Sequence, residues 1–240
     1  MNNQRIYLNV SFDGKNEVRR LGAKWDSDNR GWWITKQGDL KAFNKWLPRM
    51  YKLNAVPPHV KSEMIPYPNW YINLRSLLPE SEWDVLRKKC YADAGHRCQV
   101  CGQKGDKWPV ECNEQWEYIE DSNSDFSIQK LRRLAALCPT CHSIKHLGKA
   151  SVDGNLDEVL QHMAYVNGWT EQKCDEYAEQ AFELWEKRSE MSWIIDLSIL
   201  SNLDIEKIYL NNESIHIVGI SISYLNIFNN LSFLINNKTD

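Results

Sequence analysis

Two short cysteine pairs, Cys98-Gln-Val-Cys101 and Cys138-Pro-Thr-Cys141, constrain this chain more than any other feature of its sequence. Each Cys-x-x-Cys pair fits one tight turn, and two such turns can close a tetrahedral zinc site. The 36 residues between the pairs leave room for a hairpin and little more. A site closed by four thiolates offers no position to a substrate, so its expected role is to staple the fold. His142 and His146 follow the second pair and stand four residues apart. On a helix that spacing turns both imidazoles the same way. They come after the knuckle instead of completing it, which points to a second, open metal site, the kind that does chemistry.

These residues carry a resemblance. Cys98–Cys101, the strand Val110-Glu111-Cys112-Asn113-Glu114 and the run Leu137-Cys138-Pro139-Thr140-Cys141-His142-Ser143-Ile144-Lys145-His146 look like an HNH nuclease of ββα-metal fold over residues 80–150. The resemblance implies a strand that delivers a metal ligand and then a histidine general base, followed by a helix with the remaining ligands. Carried over by position, His142 and His146 hold a catalytic divalent ion (Mg2+, Mn2+ or Zn2+), while Cys98, Cys101, Cys138 and Cys141 hold a structural Zn2+. Cys112 falls at the strand ligand, with Glu111 and Glu114 as alternatives. The implied activity is that of a DNA endonuclease hydrolysing phosphodiester bonds, in processing of or defence against foreign DNA. Arg132 and Arg133 occupy the neighbourhood of the family's central asparagine.

Asn113 departs from the family pattern, because it stands where the histidine base belongs. An amide has no basic lone pair near pH 7 and cannot take a proton from water. Three explanations stay open: a substitution that disarms an enzyme, a naturally inactive DNA-binding relative, or a different base such as His96 or Glu114. The alternatives to a nuclease are a non-catalytic, zinc-stabilised DNA-binding protein and a protein-interaction adaptor.

Charge is divided along the chain. Residues 1–52 carry 11 Lys+Arg against 5 Asp+Glu, and residues 87–149 carry 11 against 8. Residues 150–240 carry 5 against 15. Phosphate contact is therefore expected from the first two regions and not from the last. The candidate DNA-contacting cations are Lys104, Lys107, Lys130, Arg132, Arg133, Lys145 and Lys149. Seven cysteines, four of them in metal spacing, fit a reducing compartment. The polar start Met1-Asn2-Asn3-Gln4-Arg5 and the lack of a long apolar run lead to an expectation of a cytoplasmic protein with no membrane span.

The expected fold is α+β. Residues 1–52 read as a small module of two strands and helices. Arg5–Val10 alternates as a strand, a short helix capped by Asp13 or Asn16 runs to Gly22, and Trp32–Thr35 is the second strand. A helix then runs from Asp39 to Leu47. Leu21-Gly22-Ala23-Lys24-Trp25-Asp26 with Gly31-Trp32-Trp33 resembles a small accessory domain of no settled function that occurs beside primases and other DNA-processing domains. Trp33 and Trp46 are expected in the core of so small a unit, while Trp25 and Trp32 suit either the core or base stacking. Residues 53–79, with five prolines, read as a linker or draped segment that packs through Trp70, Tyr71 and Leu74. Residues 80–150 form the nuclease-like domain, and residues 151–200 a helical extension in which His162 is a surface or packing residue. Trp193–Ser198 folds back as a strand. The Ile- and Asn-rich residues 201–240 suit strands, or a surface for a homodimer or partner protein, with a turn at Asn211-Asn212-Glu213.

Overall fold

The structure is a computed structural model that describes residues 4–121 and 124–201, and after them the strands Lys207–Leu210, His216–Val218 and Tyr224–Ile227. The expected turn at 211–213 lies outside the described residues. The architecture mixes helices with small sheets. The chain divides into two compact units, one of Met1–Met64, Arg87–Asn113 and Ala135–Ala181, the other of Ile65–Leu86, Glu114–Leu134 and Phe182–Asp240.

The first unit opens with β1 (Arg5–Tyr7), α1 (Lys15–Arg20), β2 (Lys24–Asp26), β3 (Gly31–Thr35) and α2 (Leu40–Phe43). The sheet has three strands, not two, with β3 central and antiparallel to both neighbours. Its alternation separates two faces. Ile6, Leu8 and Ile34 turn inward onto Val10, Val18, Phe43, Trp46 and Leu47. Tyr7 and Lys24, both paired with Trp33, share the other face with it. Trp33 is therefore not a core residue, whereas Trp46 is, at 6% exposure. Gly14, not Asp13 or Asn16, precedes α1. Asp39 does cap α2, accepting from the N–H groups of Lys41 and Ala42 at 3.0 and 3.2 Å. That helix ends at Phe43, short of Leu47: the Asn44 and Trp46 N–H groups donate to carbonyls three residues back, Lys41 at 3.3 Å and Phe43 at 2.9 Å, and the Trp46 carbonyl then accepts the Asn9 N–H at 2.8 Å.

Next come α3 (Leu74–Leu77) and α4 (Glu80–Asp93), the latter opening on Glu80 and Glu82, which suit a helix N-terminus. Gly95 ends the run at φ +61, where a Cβ would stand 2.4 Å from the Val10 carbonyl oxygen, so only glycine fits. The long strands β4 (Glu111–Ile119) and β5 (Ser127–Leu137) lie side by side and lead into α5 (Pro139–Lys145). The helices α6 (Leu147–Asp153), α7 (Leu156–Asn167) and α8 (Glu171–Ser189) follow. Strand β6 (Trp193–Asp196) then pairs in parallel with β5, so the Trp193 segment is a strand, with Trp193 and Ile195 buried. The strands β7 (Lys207–Leu210), β8 (His216–Val218) and β9 (Tyr224–Ile227) complete the described chain. β8 joins β6, and β7 pairs with β9.

The proline-rich stretch is held in place by side chains. Asn167, 1% exposed, accepts from the His59 and Val60 N–H groups at 2.7 and 3.1 Å and donates to the Val60 carbonyl at 2.9 Å. Further along, Trp185 Nε1 donates to the Ile65 carbonyl at 2.9 Å. Leu74 is fully buried, but Trp70 and Tyr71 are 46% and 81% exposed and do not anchor the segment.

Candidate metal centre

Cys98 and Cys101 sit in the turn that follows α4, where the Cys98 carbonyl accepts the Gly102 N–H at 2.9 Å. Cys138 caps α5, Pro139 takes its first position and Cys141 follows one turn on. The four sulfurs lie within 4.8 Å of one another and all four residues are buried. Cys101 and Cys138 stand 3.7 Å apart. A disulfide would need about 2.05 Å, whereas tetrahedral Zn–S bonds of about 2.3 Å put sulfurs about 3.8 Å apart. The thiols also divide electrically. Contact with Cys101, Cys141 and Cys98 holds the Cys138 thiol far below its ordinary range, and contact with Cys101, Cys138 and Cys98 pushes Cys141 far above it. Four thiolates cannot share one cavity without a cation, and a divalent ion removes the conflict. The donor set fits a structural metal such as zinc.

Two side chains support the sulfurs from outside. Thr140 Oγ1 is 3.2 Å from Cys138 Sγ. His162 Nε2 on α7 is 3.2 Å from Cys141 Sγ, so a proton on that nitrogen is donated to the thiolate. His162 is thus more than the surface or packing residue expected. A signal existed: it shares the helical spacing of the buried Val159, Met163 and Val166.

Beside this cluster α5 brings the two histidines together. His142 and His146 put their Nε2 atoms 3.2 Å apart with rings at 89°. Two nitrogens on one tetrahedral ion at about 2.05 Å would be separated by about 3.3 Å. The other ring nitrogen of His142, Nδ1, donates to the Glu111 carboxylate on β4. That contact holds the carboxyl below its usual range and leaves the Nε2 lone pair of His142 free to ligate. Burial, and then the charges of His142 and Lys145, push His146 down to about 4, so its ring is neutral near pH 7 and able to bind metal.

Of the three strand candidates, Glu111 is the one that meets the histidines. Cys112 points to the opposite face of β4 by strand alternation and lies beside Tyr91 of α4. Glu114 serves α3, accepting the Leu74 N–H at 2.7 Å. Asn113, 3% exposed, shares the strand face of Glu111. His96 is exposed, in the left-handed turn after α4. Among the described residues the four cysteines are the one group of three or more candidate ligands close enough to share an ion. His142 and His146 form an imidazole pair, and the Glu111 carboxylate orients the His142 ring.

The cations expected to meet DNA are mostly neutralised within the protein. Lys145 is buried and bonded to Glu63 at 2.5 Å, so it does not face phosphate. Lys130 pairs with Asp196 at 2.6 Å, Arg132 with Glu117, and Lys149 with Asp153. Arg133 donates to Gln115 at 2.6 Å, Lys107 lies over the Trp108 ring and Lys104 donates to the Asn29 carbonyl at 2.9 Å.

Residues 5–48 match the model of a domain of unknown function, DUF5710. A stretch of 43 residues is 46% identical to a DNA primase TraC of Escherichia coli, covering 18% of this chain and 4% of that protein. A second E. coli DNA primase TraC is 37% identical over 43 residues, again 18% of this chain and 3% of the primase. The chain thus spans a few per cent of the length of these relatives, and the likeness describes one module. No solved structure matches the chain. No helix among the described residues is long and apolar enough to cross a membrane.

Proposed function

We propose that the chain is built on the plan of an HNH-type DNA endonuclease, with hydrolysis of a phosphodiester bond as the reaction of the intact site. The observation that carries this is the convergence of His142 Nε2 and His146 Nε2 at 3.2 Å on a helix that directly follows a two-stranded hairpin. His142 and His146 would hold a divalent ion, and such an ion supplies positive charge to a phosphate and its departing oxygen. Glu111 fixes the tautomer and direction of His142. The buried cysteine cluster fixes the start of α5, and with it the histidine pair, against the first knuckle. The likeness of a 43-residue stretch to part of a DNA primase supports a setting in which DNA is handled.

Asn113 lies two residues beyond Glu111 on the same strand face, where a histidine would accept a proton from water. As an amide it cannot, so the chain as it stands is read as inactive. In plasmid cleavage with Mg2+ or Mn2+, Asn113→His is expected to cut while the parent does not. Failure of the variant to cut with metal and DNA both bound would sink the assignment of the base. Asn113 itself favours a second reading, a zinc-stabilised DNA-binding protein without catalysis. Metal content separates the two: two ions per chain for the nuclease plan, one for the scaffold.

A further inference from the structure

Three cations at the N-terminal sheet differ from those around the histidines. Lys24, Arg30 and Lys104 have no ion-pair partner among the described residues, whereas Lys130, Arg132, Lys145 and Lys149 all have one. These three lie on the outer face of the β1–β3–β2 sheet and its rim. Lys24 is the cross-strand partner of Trp33 and sits 5.5 Å from its ring centroid. Arg5 lies over the same ring at 4.3 Å, with its side chain half-exposed. At the other end Arg30 closes the β2–β3 turn at φ +46, and Lys104 reaches the same turn through the Asn29 carbonyl. Burial, and then the charges of Arg97 and Arg30, push the Lys104 ammonium down, so these cations crowd one another.

The nearby acidic group does not relieve them. Asp26 is buried and committed to the protein, accepting from Arg5 at 2.8 Å, Tyr7 at 2.7 Å and both nitrogens of Asn29. The face therefore offers positive charge at Lys24 and the half-exposed Arg5 beside Trp33, and at its rim at Arg30 and Lys104, while the buried Arg97 covers Gly31. An aromatic ring stands in its middle. Cations without internal partners suit phosphate. The ring adds something only where a base can expose a face, which a duplex hides and a single strand presents.

We infer that this face, through Lys24, Trp33, Arg30, Lys104 and Arg5, is a binding strip for single-stranded nucleic acid. The strip does not depend on the endonuclease plan and stands whether or not the β4–α5 site cuts. DNA and RNA single strands share the chemistry that it recognises.

The test uses the full, zinc-loaded chain and fluorescence anisotropy of labelled oligo-dT, oligo-U and a duplex of the same length, from low to moderate salt. The parent is expected to bind a single strand more tightly than the duplex. Lys24→Glu with Arg30→Asn and Lys104→Glu should weaken oligo-dT binding at least about tenfold. The slope of log affinity against log salt should fall by about 0.7 for each phosphate that the triple variant no longer neutralises. Asparagine tolerates the left-handed position of Arg30, so the turn is kept. Trp33→Leu should cost about tenfold on single strands and leave duplex binding unchanged. Tighter binding of oligo-dT than oligo-U, or the reverse, tells which single strand is preferred, and either supports the strip. No binding at low salt, equal affinity for duplex, or a triple variant within twofold of the parent would overturn it. If the triple variant fails to load zinc, Lys24→Glu decides alone, because the Lys24 ammonium holds no carboxylate.

Discussion

The contact from His162 to Cys141 places a donor on a sulfur that already shares its cavity with three others. Such outer partners orient a ligand and stabilise its charge, and losing one typically costs about 10–100-fold in metal affinity. His162→Ala is expected to weaken zinc binding by that order in competition with a chromogenic chelator, with the fold intact at saturating zinc. A change below about twofold would mean that His162 merely packs. A second residue-scale test concerns Gly31, where a Cβ would stand 2.4 Å from the Arg97 guanidinium. Arg97 cannot step aside easily: it donates to the Asn29 carbonyl at 2.8 Å and the Gly102 carbonyl at 3.1 Å, and lies 3.8 Å over the Tyr7 ring. Gly31→Ala should therefore destabilise by about 1–3 kcal/mol, read as a lowered thermal midpoint. An unchanged midpoint would show that the Arg97 contacts are dispensable. The cysteines were legible in the sequence because spacing along the chain carries their signal. His162 was not, because its partner lies 21 positions away on another helix.

At the scale of elements, strand alternation separates what the sequence left open. Glu111 and Cys112 are neighbours in the chain but face opposite sides of β4, and the histidine contact falls to Glu111. A sequence match weighs neighbours almost equally; a pleated strand does not. Binding of a second equivalent of Zn2+ or Co2+, after the thiolate site is filled, should weaken in Glu111→Gln, because His142 loses the carboxylate charge that strengthens its hydrogen bond and raises its basicity. Cys112→Ser should leave that second event unchanged, and calorimetry with the two variants side by side checks both. A weakened second event in Cys112→Ser alone would return the strand-ligand role to Cys112. Other elements were less legible for a related reason. Strand β2 is three residues long and its pattern is too short to read. Helix α2 gives way after Phe43 to i−3 turns, which apolar periodicity does not tell from a continuing helix.

At the scale of the molecule, composition draws a boundary near residue 52, yet the first compact unit runs through it to include the knuckle. Asn9 Nδ2 donates to the carbonyls of Ala94, Arg97 and Cys98 at 3.2–3.3 Å. The Arg49 and Met50 N–H groups donate to the Gln99 and Val100 carbonyls at 2.8 and 3.1 Å. Gly95 lies against Val10, and Gly102 against Tyr7 and Pro48. These are contacts between segments some fifty to ninety-five positions apart, and such contacts leave no pattern in a sequence. They also give the zinc site a reach beyond its ligands. A metal on Cys98 and Cys101 would hold the turn that presents these carbonyls, and so tie the sheet to the site. Removing zinc should therefore loosen the module as well as the knuckle. In hydrogen exchange with and without a strong chelator, the amides of Leu8 and Ile34 should lose protection together with those of Cys98 and Gly102. Because thiolate ligation releases protons, the stabilisation from zinc should grow as pH rises and be lost as the thiolates protonate on acidification. The same coupling should then appear as one acid transition shared by both segments. If the module's amides keep their protection while the knuckle exchanges freely, the sheet folds by its own core of Ile6, Leu8, Ile34 and Trp46, and the shared contacts join two parts that are each already stable.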